Sequence, residues 1–303
     1  MNKINGLIYG ILSSASFGLI PLFAIPVMQH GMDFMNVLSY RFLFATCSLA
    51  ILLKIKKSTF YITKTDFPIL LLLSVFYLIS SVFLLWGYNF MSSGIATTLH
   101  FTYPVITTLV MMVFFHEKSS KWQISAILLA ITGVYALSHT SPGGKTSLSG
   151  IIIVLLSAVG YALYLIAVEK RSNNNIQGLK LTFYVFLFGT VILWISMGLI
   201  GKLQIISDFS SGANLLMLAI IPTVISNLAL IEAIKYIGAT QTSVLGAMEP
   251  VTAVIVGIIV FRESFSFTIA AGIILIIIAV TIIMIKNKQS QTKQHPKSQI
   301  SDL

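Results

Sequence analysis

Residues 99–117 read LHFTYPVITTLVMMVFFHE, and residues 245–263 read LGAMEPVTAVIVGIIVFRE. Shifted by 146, the two stretches share Leu99 and Leu245, Pro104 and Pro250, Val105 and Val251, Val110 and Val256, Phe115 and Phe261, and Glu117 and Glu263. One identity among apolar residues carries little, but a proline and a terminal glutamate in a single gapless frame mark an internal repeat. A shift of 144 extends it, laying Gly6 and Ser13 on Gly150 and Ser157, and Tyr40, Phe42, Leu43 and Phe44 on Tyr184, Phe186, Leu187 and Phe188. The two-residue difference is an indel between the matched blocks.

The repeated unit is built for lipid. Of 303 residues, 56% are hydrophobic and 9% charged, where soluble domains carry about 25% charged residues. The mean hydropathy is +0.94, and the charges fall in short clusters between long uncharged runs. Helices rise about 1.5 Å per residue and a hydrocarbon core is about 30 Å thick. Runs long enough to cross lie at 6–27, 36–53, 67–90, 94–115 and 122–137, then at 148–168, 179–200, 213–234, 240–261 and 267–285. The first, of 22 residues, is too long for the apolar core of a signal peptide, about 7–15 residues, and no cleavage site follows it. A helix running unbroken from Phe67 to Phe115 exceeds what tilt absorbs, so the chain must turn at Ser92-Ser93-Gly94.

These runs predict an all-α membrane protein with ten transmembrane helices. Five helices per half is an odd number, so the second half must enter the membrane opposite to the first, giving two inverted five-helix repeats. The expected organisation is a first repeat at 6–139, an external linker at 140–149 containing Pro142-Gly143-Gly144, a second repeat at 150–285, and a disordered cytoplasmic tail at 286–303. With the N-terminus inside, fifteen Lys and Arg lie on the inner side against Lys145, Lys202 and Arg262 outside, with Arg41 inside a span. The positive-inside rule therefore puts both termini in the cytoplasm. The same asymmetry accounts for the net charge of +10 without a nucleic-acid partner, since no basic stripe is interleaved with aromatics. Cys47, the one cysteine, cannot form an intrachain disulfide and reads as a packing residue.

The sequence resembles the drug/metabolite transporter superfamily, EamA type, over residues 6–285. The resemblance rests on Arg41-Phe42, on Tyr103-Pro104-Val105 with Glu117 and Gly133, and on Glu249-Pro250-Val251 with Glu263 and Gly272. It implies a ten-helix exporter or permease for amino acids, related metabolites or other small polar compounds. It also implies a central cavity lined by spans 1, 3, 4, 6, 8 and 9, opening alternately to each side. The halves differ at matched positions: Val185 stands opposite Arg41 and Gly246 opposite His100. The site is therefore expected to be asymmetric.

Glu249 lies mid-span, where a lipid-facing carboxylate costs at least about 2.5 kcal/mol. It binds a proton or a cationic substrate group, or else it is a protonated or hydrogen-bonded carboxyl satisfying carbonyls freed by Pro250. Its counterpart is Tyr103, on a stripe with Ala96, His100 and Thr107 at helical spacing. His100 suits a substrate hydrogen bond or a proton relay, with a packing role as the alternative. Tyr161, Tyr164 and Asn227 read as an aromatic and amide lining. Trp86, Tyr88 and Asn89 are either part of that lining or of an interfacial belt. Arg41 is expected to be structural, its chain snorkelling outward, with an anion clamp as the alternative. Pro21, Pro104, Pro222 and Pro250 should kink their spans, and Glu117 and Glu263 read as boundary caps. Glu232 and Lys235 are spaced as an ion pair.

No P-loop is present for driving transport by ATP hydrolysis, and no Gly-x-Ser-x-Gly serine, paired aspartates or His-Glu-x-x-His suggests intramembrane catalysis. No catalytic residue, cofactor or metal site is read. The expected function is secondary transport in the bacterial inner membrane, an exporter of amino acids or related metabolites with or without proton exchange. The rivals are a membrane sensor or scaffold and an intramembrane enzyme.

Overall fold

The computed structural model describes residues 2–115, 121–138, 147–170, 178–264 and 266–294. Their regular structure is helical throughout: α1 (Asn2–Phe17), α2 (Ile20–Gln29), α3 (Phe34–Ile55), α4 (Phe67–Gly87), α5 (Ser93–His100), α6 (Tyr103–Phe114) and α7 (Lys121–Ser138) come first. Then follow α8 (Leu148–Lys170), α9 (Gly178–Ile200), α10 (Phe209–Ala219), a π-helical turn at Ile220–Ile225, α11 (Ser226–Leu245), α12 (Met248–Ile259) and α13 (Phe267–Gln294). Helices suit lipid because each satisfies its own backbone.

Among the described residues, seven helical stretches are long and apolar enough to cross a membrane, namely Ile4–Gln29, Phe34–Ile55, Phe67–Gly87, Ser93–Phe114, Leu148–Val168, Gly178–Ile200 and Phe209–Ala233. Three shorter apolar helices, Ile124–Leu137, Met248–Ile259 and Phe267–Ile282, occupy the fifth, ninth and tenth expected spans. Bulky apolar side chains such as Ile51, Ile131, Ile195, Leu199, Ile259 and Ile274 point outward, while Ser13, Asn36, Ser74, Ser80, Thr98 and Ser157 are buried. That distribution is the reverse of a water-soluble fold.

Prolines do more than kink the spans. The first is interrupted at Gly18-Leu19 ahead of Pro21, the fourth at Phe101-Thr102 ahead of Pro104, and the ninth at Gly246-Ala247 ahead of Pro250. Proline lacks an N–H and clashes with the carbonyl one turn back, so the break falls N-terminal to it. The Thr102 hydroxyl donates to the Leu99 carbonyl at 2.7 Å, satisfying one group of the opened turn. Pro222 instead sits inside the π-helical turn.

Helix pairs bring repeat-related positions together. α3 packs on α9 and α7 on α13, while α1 packs on α11 and α4 on α8. Phe42 and Phe186, 144 residues apart, meet edge to face at 4.9 Å, and the Thr46 and Thr190 hydroxyls, also 144 apart, lie 3.1 Å from each other. Tyr40 donates to the Gln204 carbonyl, and Tyr184 to the Phe60 carbonyl. Adding 144 to one member of each bond gives the other member of its twin. Ser226 donates to the Ser13 carbonyl at 2.9 Å and Ser157 to the Ser80 carbonyl at 2.6 Å, pairing positions matched at shifts of 144 (Ser13 and Ser157) and 146 (Ser80 and Ser226) with donor and acceptor exchanged. Gly133 and Gly272 allow α7 and α13 to touch, since a Cβ on Gly133 would lie 3.0 Å from the Gly272 oxygen.

Three boundaries differ from expectation. The joint expected at 235–239 is absent: α11 continues to Leu245, because Lys235 and Gly238 are tolerated within a helix while Pro250 fixes the interruption at 246–247. α4 ends at Gly87 rather than residue 90, the next residues forming a turn. The last helix is described to Gln294, nine residues past the expected end at 285 and into the stretch expected to be disordered. Hydropathy marks where apolar residues stop, not where Lys- and Gln-rich chain stops being helical. Glu117, most of the 140–149 linker and residues 295–303 lie outside the described residues, as does the Lys235 side chain.

Candidate functional site

The interruption at Phe101-Thr102 makes His100 the last residue of α5 and Tyr103 the first of α6. His100 is 1% exposed, and its Nδ1 lies 2.9 Å from Ser157 Oγ on α8. Ser157 in turn donates to the Ser80 carbonyl of α4. Tyr103 meets Tyr161 edge to face at 4.6 Å, and both rings border the His100 imidazole, at 5.7 and 5.4 Å. Tyr164 stacks on Tyr161 at 5.8 Å, and Tyr77 of α4 closes the group at 5.3 Å from Tyr164 and 6.2 Å from Tyr161. Of the expected stripe, Ala96 and His100 are buried, and Thr107, beyond the interruption, has a buried hydroxyl without a partner.

α11 enters the cluster through Asn227, which donates to the Thr223 carbonyl at 2.6 Å and lies near the Tyr77 side chain. The π-helical turn sets Thr223 so that its hydroxyl donates to Leu218, five residues back, at 3.0 Å while accepting from Arg41 Nε at 2.9 Å. Such turns widen the helix by a residue and re-aim side chains. Arg41 does not snorkel. It is 1% exposed, with Nη2 buried and unpartnered, and lies within electrostatic range of Tyr77, Tyr88 and His100. Depth in a helix says nothing of azimuth, and α3 turns this position toward the π-helical turn rather than outward.

Glu249 occupies the first turn of α12, just past the interruption before Pro250, where the helix N-terminus favours negative charge. It is 6% exposed, its Oε1 is buried without a hydrogen-bond partner, and Tyr77, Tyr88, Tyr103 and Tyr161 lie within its electrostatic range. Gly18 admits this arrangement. A Cβ there would sit 2.5 Å from the Glu249 carbonyl oxygen and 2.7 Å from Thr252 Cβ, so the interruption in the first span rests directly on the start of α12.

Six expected residues thus converge: Glu249, His100, Tyr103, Tyr161, Tyr164 and Asn227. Trp86 and Asn89 do not. Trp86 stacks parallel to Phe34 at 6.0 Å with Phe83 and Phe90 beside it, and Asn89 is exposed. Tyr88, two residues on, is buried instead, its hydroxyl 3.4 Å from Thr97 Oγ1. Tyr77, Ser157 and Thr223 were not anticipated. A signal for Tyr77 exists, because Ser74, Tyr77 and Ser81 form a polar stripe at helical spacing in an otherwise apolar span. At the other end of α5 the Ser93 amide donates to Glu263 Oε1 at 2.7 Å, so Glu263 caps that helix beside a small pocket lined by Ile95, Val254 and Ile258, apart from the tyrosines. Among the described residues no three His, Cys, Asp or Glu side chains gather as metal ligands.

The chain matches the EamA-like transporter family over residues 4–139 and again over 148–285. It belongs to that family. It is accordingly a multi-pass membrane transporter, and the stretch between the two EamA-like matches falls within the linker read from composition. An uncharacterized transporter of Bacillus subtilis, YetK, is 28% identical over 82% of this chain and 78% of its own length. An uncharacterized transporter of Archaeoglobus fulgidus is 23% identical over 87% of this chain and 94% of its own. A mouse protein named solute carrier family 35 member G1 is 27% identical over 60% of this chain and 52% of its own. One solved crystal structure superposes with a TM-score of 0.70 at 11% identity, covering 95% of this chain and 99% of that one, a likeness of fold alone.

Proposed function

We propose that this chain is a secondary transporter of the bacterial inner membrane that exports amino acids or related small polar metabolites by alternating access. In this reading its ten spans form two inverted five-helix repeats, both termini are cytoplasmic, and Glu249 exchanges a proton or a cationic substrate group between the two sides. The observation that carries it is the unpartnered, buried Glu249 Oε1 at an interrupted helix, ringed by tyrosines contributed by α4, α6 and α8. A carboxyl kept inside a membrane protein without a partner is a functional feature more often than a packing one. The twinned bonds Tyr40–Gln204 and Tyr184–Phe60, whose corresponding members lie 144 residues apart, favour the repeat architecture, and the three interruptions supply joints about which half-helices can tilt.

The test is counterflow in proteoliposomes loaded with unlabelled amino acids and metabolites. Saturable accumulation of the matching labelled compound is the expected result. No flux across a broad panel, with protein shown to be inserted and folded, refutes the transport reading.

A further inference from the structure

The cluster holds two buried groups of opposite charge type, each short of a partner. Arg41 donates from Nε to Thr223 but leaves Nη2 buried and unbonded, and Glu249 leaves Oε1 buried and unbonded. No ion pair joins them among the described residues, although Tyr77 and Tyr88 lie within electrostatic range of both. We propose that Arg41 and Glu249 are the two poles of one binding site, so that the transported molecule carries a carboxylate, held by Arg41, and an ammonium, held by Glu249. The inference rests on the transporter reading and names the chemistry of its substrate.

A purely structural Arg41 is complete once Nε holds the π-helical turn. That role leaves a buried N–H donor of a charged group unsatisfied, at the cost of its desolvation. A carboxylate on Nη2 removes that cost through a charge-assisted hydrogen bond. A lone anion, however, would leave the Glu249 side without a partner, and a lone amine would leave Arg41 without one. A zwitterion compensates both poles and adds no net charge to the membrane interior. Tyr77 and Tyr88, near both groups, offer aromatic faces that suit an ammonium as well, and Asn227 offers a further polar group beside Tyr77.

The test uses purified full-length protein with two matched sets of probes: L-leucine, isopentylamine and 4-methylpentanoate, and L-phenylalanine, phenethylamine and 3-phenylpropanoate. Affinity is read from ligand-induced thermal stabilisation and from competition in counterflow. In the native protein each zwitterion should bind at least tenfold more tightly than its amine or acid counterpart. Arg41→Gln should lose on the order of thirtyfold or more in affinity for the zwitterion, leaving amine binding unchanged. Glu249→Gln should do the reverse and spare the acid. Thr223→Val removes Arg41's protein partner but keeps its guanidinium. It should preserve the preference for carboxylates, whereas a merely structural Arg41 predicts that Thr223→Val and Arg41→Gln behave alike. If Arg41→Gln does not fold, Arg41→Lys and Glu249→Gln decide, through retained and exchanged preference respectively. Amines binding as well as zwitterions, or no probe binding while other metabolites are transported, overturns the two-pole site and leaves transport standing. Absence of all flux instead removes the transport reading beneath it.

Discussion

The contact between Gly18 and the start of α12 allows a perturbation whose size follows from the geometry. A Cβ at position 18 would lie 2.5 Å from the Glu249 carbonyl oxygen, and an ordinary contact begins near 3.4 Å. Gly18→Ala must therefore push the interruption of the first span away from α12 by almost an ångström. The obstacle is backbone and cannot rotate aside. Overpacking of this kind costs about 1–3 kcal/mol, against which alanine recovers at most about 1 kcal/mol of chain entropy. The net expectation is a loss between near zero and about 3 kcal/mol, with flux falling further because the displaced backbone carries Glu249. Gly198→Ala is the control. Its added Cβ meets only Leu203 Cδ1 at 3.8 Å, so within α9 it should be neutral or stabilise by up to about 1 kcal/mol. Thermal unfolding in one detergent, paired with counterflow for each variant, reads both signs. Gly18→Ala protein as stable and as active as Gly198→Ala protein would refute the close approach and the placement of Glu249 built on it.

Glu249→Gln keeps the volume and removes the titrating group, so it should insert and fold while flux loses its pH dependence; an unaltered pH profile takes Glu249 out of proton exchange. Tyr40→Phe and Tyr184→Phe each delete one of two twinned hydrogen bonds, and each should cost about 0.5–1.5 kcal/mol by thermal or denaturant unfolding. Widely unequal losses would contradict equivalent roles for the two tyrosines. Asp208 caps α10 by accepting from the Ser211 amide at 2.8 Å and its hydroxyl at 2.7 Å, which holds its carboxyl below the ordinary 3.8. A depressed carboxyl stabilises the fold above the unfolded value and loses that contribution as pH falls through the folded one. The stability gap between native and Asp208→Ala protein should therefore stay constant from neutral pH down to about 5 and close only below 3.8; a gap closing near neutrality would reject the cap.

What the sequence made legible divides along physical lines. Apolar run length reports depth, so the placement of Glu249, His100 and Tyr103 within apolar runs was readable, and seven of the expected runs coincide with helical stretches long enough to cross, while those at 122–137, 240–261 and 267–285 contain only shorter apolar helices among the described residues. Helical spacing reports relative azimuth only within an unbroken helix, so it relates Ala96 to His100 on α5, both buried, but not across the interruption to Thr107. Neither reports absolute azimuth, and that is why Arg41 looked able to reach the surface and is in fact buried. Trp86 and Asn89 were misjudged as a group with Tyr88 for a related reason. α4 ends at Gly87, and beyond it the helical spacing no longer relates one side chain to the next. Thr223 had no signal at all, since Ile-Ile-Pro-Thr-Val-Ile at 220–225 gives no mark that the helix will widen there.

Residues 40–42 compress the logic of the whole molecule into three positions. Tyr40 has its counterpart in Tyr184, and the two make twinned bonds to Gln204 and Phe60; Phe42 packs on its own counterpart, Phe186. Between them Arg41 has no counterpart, because Val185 stands in its place and offers only a carbonyl, which accepts from Ser74 at 2.8 Å. The same division recurs at Ser157, whose contact with Ser80 is echoed by Ser13 and Ser226, whereas its contact with His100 has no echo because Gly246 replaces the histidine. Twinned contacts hold two similar halves together. A substrate with unlike ends needs unlike groups to receive it, and the untwinned positions Arg41, His100 and Glu249 all point into one aromatic interior. Exchanging Arg41 for its counterpart, Arg41→Val, should accordingly leave the Phe42–Phe186 and Tyr40–Gln204 contacts in place. Its cost should appear in ligand recognition before it appears in unfolding of the helix pair.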